Sequence, residues 1–156
     1  MNRIINIIII LSLAIAVFGC KPLLAEDQPQ ACIKESCFNI EIVQEIEDLM
    51  RGLQGRTSLD ADAGMLFIFE QPGIYPFWMK DTLIPLDIIW IDGSQKVVNI
   101  AHAAQPCSDE PCDTYDPNFA ARYVLEVNAG YSQEAGIDIG DPVVFKNFAE
   151  WRNIFN

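Results

Sequence analysis

The sequence predicts an α+β, β-rich fold: a small curved antiparallel sheet or barrel-like domain carrying two or three short helices. Three observations lead there. Apolar, β-branched and aromatic residues come in short runs (MLFIF, YPFWM, PLDIIWI, KVVNIA, RYVLEVN) separated by turn residues. An Asp-Gly pair, Asp92-Gly93, stands between two of these runs and signals a hairpin. Helical spacing is confined to brief stretches, so the helices must be few and the sheet must form most of the core.

In chain order, the opening MNRIINIIIILSLAIAVFGC has one basic residue, Arg3, then an apolar run over residues 4–18 broken only by Asn6 and Ser12. This is the layout of a secretory signal over residues 1–19, and the run is shorter than the ~20 residues a bilayer-spanning helix needs. Val17-Phe18-Gly19-Cys20 resembles a bacterial lipobox, so Cys20 is expected to carry a lipid anchor as the first mature residue, which makes a membrane the first expected partner. Residues 20–36 read as a tether with an N-terminal cysteine pair, residues 37–147 as one domain, and residues 148–156 as a tail with a short helix.

Within the domain, Phe38, Ile40 and Ile42 alternate with polar residues and mark a first strand. Ile46, Leu49, Met50 and Leu53 lie on one face of a short helix that ends near Gly55. MLFIF is a strand, QPG a turn, and YPFWM and PLDIIWI further strands. Residues 102–121 have no period, several prolines and two cysteines; they read as a long loop and contact surface that includes His102 and Gln105. In RYVLEVN, Tyr123, Leu125 and Val127 share one face, while Arg122, Val124, Glu126 and Asn128 share the other, which reads as a solvated polar edge. AGYSQEAG gives one or two helical turns closed by Gly136, and IDIGDPVVF a turn feeding the last strand.

The chain of 156 residues carries 10 Lys and Arg against 22 Asp and Glu, a formal charge of −12. Nucleic acid would be repelled and is not an expected partner. Cys20 aside, the cysteines form two C-x4-C pairs, Cys32 with Cys37 and Cys107 with Cys112. Export favours disulfides, and of the three pairings the local ones are preferred because the CSDEPC turn can bring its ends together.

Asp87 interrupts PLDIIWI, where both strand faces are apolar. A carboxylate there must find a partner or become neutral. Lys80, Arg122 and the amides of the turn before Pro85 are the candidates, and a structural anchor is favoured over a reactive group. His102 is the only histidine. No G-x-S-x-G elbow is present, so a hydrolase triad is not expected. Cys107, Cys112 and His102 have spacing better suited to a disulfide loop than to zinc, and neither metal nor cofactor is predicted. Trp78, Met79 and Trp90 read as core.

The series R-x4-R-x-S-L-x4-GMLF-x-F, FWMK-x-T-x-IPLD, AQPCS-x-x-PC, RYVLE-x-NAG and GI-x-x-GD-x-V resembles the domain of unknown function 192, also called uncharacterised protein family 0127. The resemblance covers nearly the whole mature chain and implies a small barrel-like α+β fold, frequent export and no established activity. Members commonly read G-L-M where this chain has Gly52-Leu53-Gln54, which puts the packing at that corner in question. The motif's E-x-N pair adds Glu126 and Asn128 to the candidates. If Lys80, Asp87, Arg122, Glu126 and Asn128 converge, they form a mixed-charge cleft for a small polar ligand. The leading expectation is therefore a non-enzymatic, membrane-tethered domain of the periplasm or cell envelope that binds a small molecule or an envelope protein. The alternatives are an enzyme using Asp87 as general acid or base with Lys80 or His102, and a purely structural or assembly module.

Overall fold

A computed structural model describes residues 28–148. The expected signal, the lipid site at Cys20 and the tail from residue 149 onward lie outside these residues. The described chain forms β1 (Gln30–Ile33), β2 (Ser36–Val43), α1 (Ile46–Arg51), β3 (Ala63–Gly73), β4 (Phe77–Trp78), β5 (Leu86–Ile91), β6 (Val97–Ala104), β7 (Thr114–Tyr115), β8 (Ala121–Asn128), α2 (Tyr131–Glu134) and β9 (Val143–Lys146).

β5 is buried at every position, so it needs cover on both faces and pairing on both edges. It has both: the seven-stranded sheet runs β6-β5-β8-β3-β2-β1-β9, with β4 and β7 forming a separate ribbon. One face carries Phe38, Leu66, Ile89, Leu125 and Val127, together with Val97 and Val143 from the two edge strands. Edge residues can join that cluster only if the sheet curls around it. The edges meet at one end, where Lys96 bridges Pro142 and the Val97 and Val143 amides donate to the Asp141 and Gln95 carbonyls. The result is a half-barrel. The opposite face of the central strands carries Met65, Phe67, Ile88, Trp90 and Val124, covered by Leu53 and Met79.

The expected antiparallel sheet is in fact mixed. β2 and β3 run parallel, because α1 and the crossover through residues 52–62 return the chain to the same end before β3 begins. The sheet also starts earlier than residue 37. β1 lies within the stretch read as tether, and it pairs with β2 and with β9. Cys32 and Cys37 are opposed partners of that hairpin and are disulfide-linked, as are Cys107 and Cys112.

Four further expectations change. QPG is not a turn: β3 runs through it to Gly73, with a register shift after Ile68. α1 stops at Arg51 and buries no residue fully: Leu49 is partly covered, Ile46 and Met50 face outward, and the buried Leu53 lies in the turn after the helix. His102 is on β6 and Thr114–Tyr115 is a strand, so the supposed long loop is shorter and interrupted. Trp78 is exposed, although Met79 and Trp90 are core as expected. The 92–95 turn does form; Asp92 Oδ1 accepts from the Ser94 and Lys96 amides, and Gln95 takes the positive φ of 61°.

Candidate functional site

Asp87 is fully buried and, among the described residues, has no cation beside it. Its Oδ1 accepts from the Ala103 amide at 2.8 Å and the Gly130 amide at 3.1 Å, and its Oδ2 from the Ser132 amide at 2.8 Å and the Ser132 hydroxyl at 2.6 Å. Burial pushes the carboxyl up, but the Ser132 hydroxyl and the three amides outweigh it and hold Asp87 below the ordinary value. These donors come from β6 and from the β8–α2 corner, so neither Lys80 nor Arg122 nor the turn before Pro85 supplies the partner. Ala103 takes a φ of 48° where the β5–β6 ladder shifts register, the conformation in which its amide reaches Asp87. His102 Nδ1 stands 2.8 Å from Ser132 Oγ. Since Ser132 gives its proton to Asp87, His102 must donate from Nδ1, and the series ends in an ionised carboxylate.

The mixed-charge cleft does not form. On the paired strands, Asp87 lies opposite Val127 and Ile88 opposite Glu126, so the two carboxyl groups project from opposite faces of the sheet. Lys80 is on the surface, ion-paired with Glu110, which raises its ammonium above the usual value, and it stands 5.4 Å over the Trp78 ring. Arg122 approaches the Tyr123 ring at 6.0 Å. Asn128 donates to the Leu59 and Asp60 carbonyls and fastens the crossover loop. Gln105 donates its side chain to the Ala103 carbonyl and its amide to the Tyr115 hydroxyl.

Glu126 is the exception. The polar edge expected of β8 is covered instead: Val124 and Glu126 are both buried beneath the segment that follows α1. Glu126 Oε2 has no hydrogen-bond partner among the described residues. Burial alone pushes the carboxyl up to about 8, so near neutral pH it is largely protonated. It lines a recess of about 30 Å³ with Gly52, Leu53, Gln54, Phe67, Phe77 and Thr82. The exposed side chains of Met50 and Trp78 stand at the mouth. A Cβ on Gly52 would lie 3.1 Å from Phe67 Cζ and 4.0 Å from Glu126 Oε2, so the missing side chain keeps the carboxyl within reach of the opening.

Two other concavities adjoin the crossover. The larger, about 510 Å³, is bordered by Arg56, Asp60 and Asp62 and is spanned by an exposed Arg56–Glu41 ion pair at 2.6 Å. A second, about 190 Å³, shares Arg51, Gly52 and Gln54 with the Glu126 recess. Among the described residues, neither is lined by a buried polar side-chain atom without a partner. Gly52, Thr82, Phe67 and Phe77 were not among the sequence candidates. Glu126 itself came from the E-x-N pair, and the Gln54 departure pointed to the same corner.

A family model described as Uncharacterized ACR, DUF192, matches residues 30–145. A protein of unknown function from Novosphingobium aromaticivorans DSM 12444 has a crystal structure similar to this one, with a TM-score of 0.68 and 31% identity over 74% of this chain and 82% of that chain. A candidate transcription regulator from Sinorhizobium meliloti 1021 is similar at a TM-score of 0.69 and 27% identity, over 76% of this chain and 92% of that one. No curated protein matches the chain significantly.

Proposed function

Since the chain belongs to the DUF192 family, to which no activity is attached, we propose from its own geometry that it is an extracytoplasmic, membrane-tethered domain that binds a small polar molecule over Glu126. One observation carries the reading: a buried carboxyl group with an unpartnered oxygen opens onto a recess, on a rigid sheet. A buried polar group without a partner costs roughly 1–3 kcal/mol, which a bound polar group would relieve. Two disulfides and the N-terminal signal pattern support an oxidising compartment, with Cys20 as the tether.

An enzyme built on Asp87 has the geometry against it, because both carboxylate oxygens are filled and the group is held ionised out of reach of solvent. The Sinorhizobium neighbour is described as a candidate transcription regulator; for this chain, direct binding to nucleic acid is opposed by a net charge of −12.

The test is an amide-resolved NMR titration of the wild type and Glu126→Gln against a panel of small polar compounds. Shifts confined to Gly52, Leu53, Gln54 and Thr82, lost in the variant, are expected. Shifts only elsewhere, or none, would remove the site. Mass spectrometry of the mature N-terminus should find a lipidated Cys20; an unacylated terminus downstream of it would remove the tether.

A further inference from the structure

Resting on the reading that the Glu126 recess is a ligand site, we infer that it receives a primary ammonium group on an apolar stem, with the Glu126 carboxylate as counter-ion. Such a group comes either from a free alkylamine or from the lysine side chain of a partner protein.

The argument starts from what surrounds the carboxyl. Of the side chains lining the recess, Arg51 is the only charged one besides Glu126 itself, and it is ion-paired with Asp48 on the exposed side of α1. Among the described residues, therefore, no cation pairs with Glu126. Besides Leu53 and the polar Gln54 and Thr82, the walls include the aromatic residues Phe67 and Phe77, with Trp78 at the mouth, residue types that favour a cation against their ring faces. The Trp78 ring already has the Lys80 ammonium 5.4 Å from its centre, so the mouth tolerates such a group. A volume of about 30 Å³ holds one water-sized group, which a primary ammonium matches and a quaternary one exceeds. The exposed apolar side chains of Met50 and Trp78 lie where a methylene stem would leave the recess. The acidic surface, at a net −12, concentrates cations around the whole domain.

Binding is coupled to a proton. The ligand arrives as R–NH3+, the neutral Glu126 carboxyl releases its proton to solvent, and the resulting ion pair stays in the recess. The raised pKa of Glu126 makes this coupling visible: affinity should climb about ten-fold per pH unit below about pH 8 and then level off until the amine itself loses its proton.

The experiment is calorimetric titration of the purified full-length protein with n-butylammonium chloride at about pH 6.5, in buffers of different ionisation enthalpy. Parallel titrations use butyramide, tetramethylammonium and a short lysine-containing peptide. The inference predicts binding of n-butylammonium or of the peptide, release of close to one proton per ligand, no binding of tetramethylammonium, and loss of binding in Glu126→Gln with an unchanged melting profile near pH 5. Binding of the free amine assigns the source to small amines; binding of the peptide alone assigns it to a partner's lysine. If butyramide binds while both ammonium probes fail, the ligand class is overturned and the site survives. If no probe binds, the inference is overturned, and the wider NMR panel decides the site separately. Ammonium binding without proton release, or retained in Glu126→Gln, overturns the role of Glu126.

Discussion

Asp87 and Glu126 sit on neighbouring strands one register step apart, yet their carboxyl groups lie on opposite faces of one sheet and in opposite protonation regimes. The first closes a network of four donors on the inner side of the half-barrel. The second faces a recess walled in part by aromatic rings, where its Oε2 has no hydrogen-bond partner among the described residues.

Asp87→Asn should be among the most damaging conservative changes in the domain, because an amide turns one acceptor into a donor aimed at buried N–H groups. A loss of about 3 kcal/mol is expected in urea unfolding. The stability supplied by ionised Asp87 is fully present above its unfolded value, about 4, and vanishes as pH falls through the lower native one. Lys80→Met should leave the urea midpoint unchanged, since Lys80 meets only surface groups; a loss matching that of Asp87→Asn would restore the converging cleft.

Glu126 has the opposite sign. Its native pKa lies above its unfolded one, so its contribution is complete below about 4.5 and declines as pH rises to about 8. The ceiling on the slope is about 1.4 kcal/mol per pH unit. The difference in melting temperature between wild type and Glu126→Gln should therefore move in favour of the variant across this range. A constant difference would mean that the carboxyl is solvated.

Gly64→Ala should cost about 1–3 kcal/mol, because the added Cβ would stand 2.9 Å from the Glu126 carbonyl oxygen, with Leu125 and Val127 side chains closing the other directions. Gly93→Ala is the control. Its nearest neighbour would be Pro72 at 4.0 Å, and thermal melts should barely register it.

Each disulfide spans a sequence separation of 5, for which chain-entropy reasoning gives roughly 2 kcal/mol. Replacing Cys107 and Cys112 by serine should raise amide exchange locally, around Met79, Asp81 and Cys107, whose backbone groups bond one another there. Exchange in β5 and β8 should be unaffected near neutral pH. Broad loss of protection across the sheet would contradict a local role.

The strands were legible because alternation survives in any strand with one covered face, and the 131–136 turn and both cysteine pairs followed from local chemistry. What could not be read depended on distant partners. Asp87 is satisfied by residues 16, 43 and 45 positions away, and no spacing within PLDIIWI points to them. Alternation put Glu126 and Val124 on one face of β8 but could not say that Leu53 and its neighbours would cover it. β1 was missed because its four residues follow a proline-containing polar stretch, and its place in the sheet comes from pairing with β9 at the far end of the sequence. The parallel β2–β3 pair depends on where the crossover lands, a choice made by packing and not by local pattern.

Gln30 and Lys146 are partners in one ladder, so the first and last of the described strands begin and end side by side. The domain is thus topologically a closed cassette. It can be spliced into a surface loop of a host protein, or re-cut at the 92–95 hairpin with its old ends joined by a short linker, without pulling any strand from its neighbours.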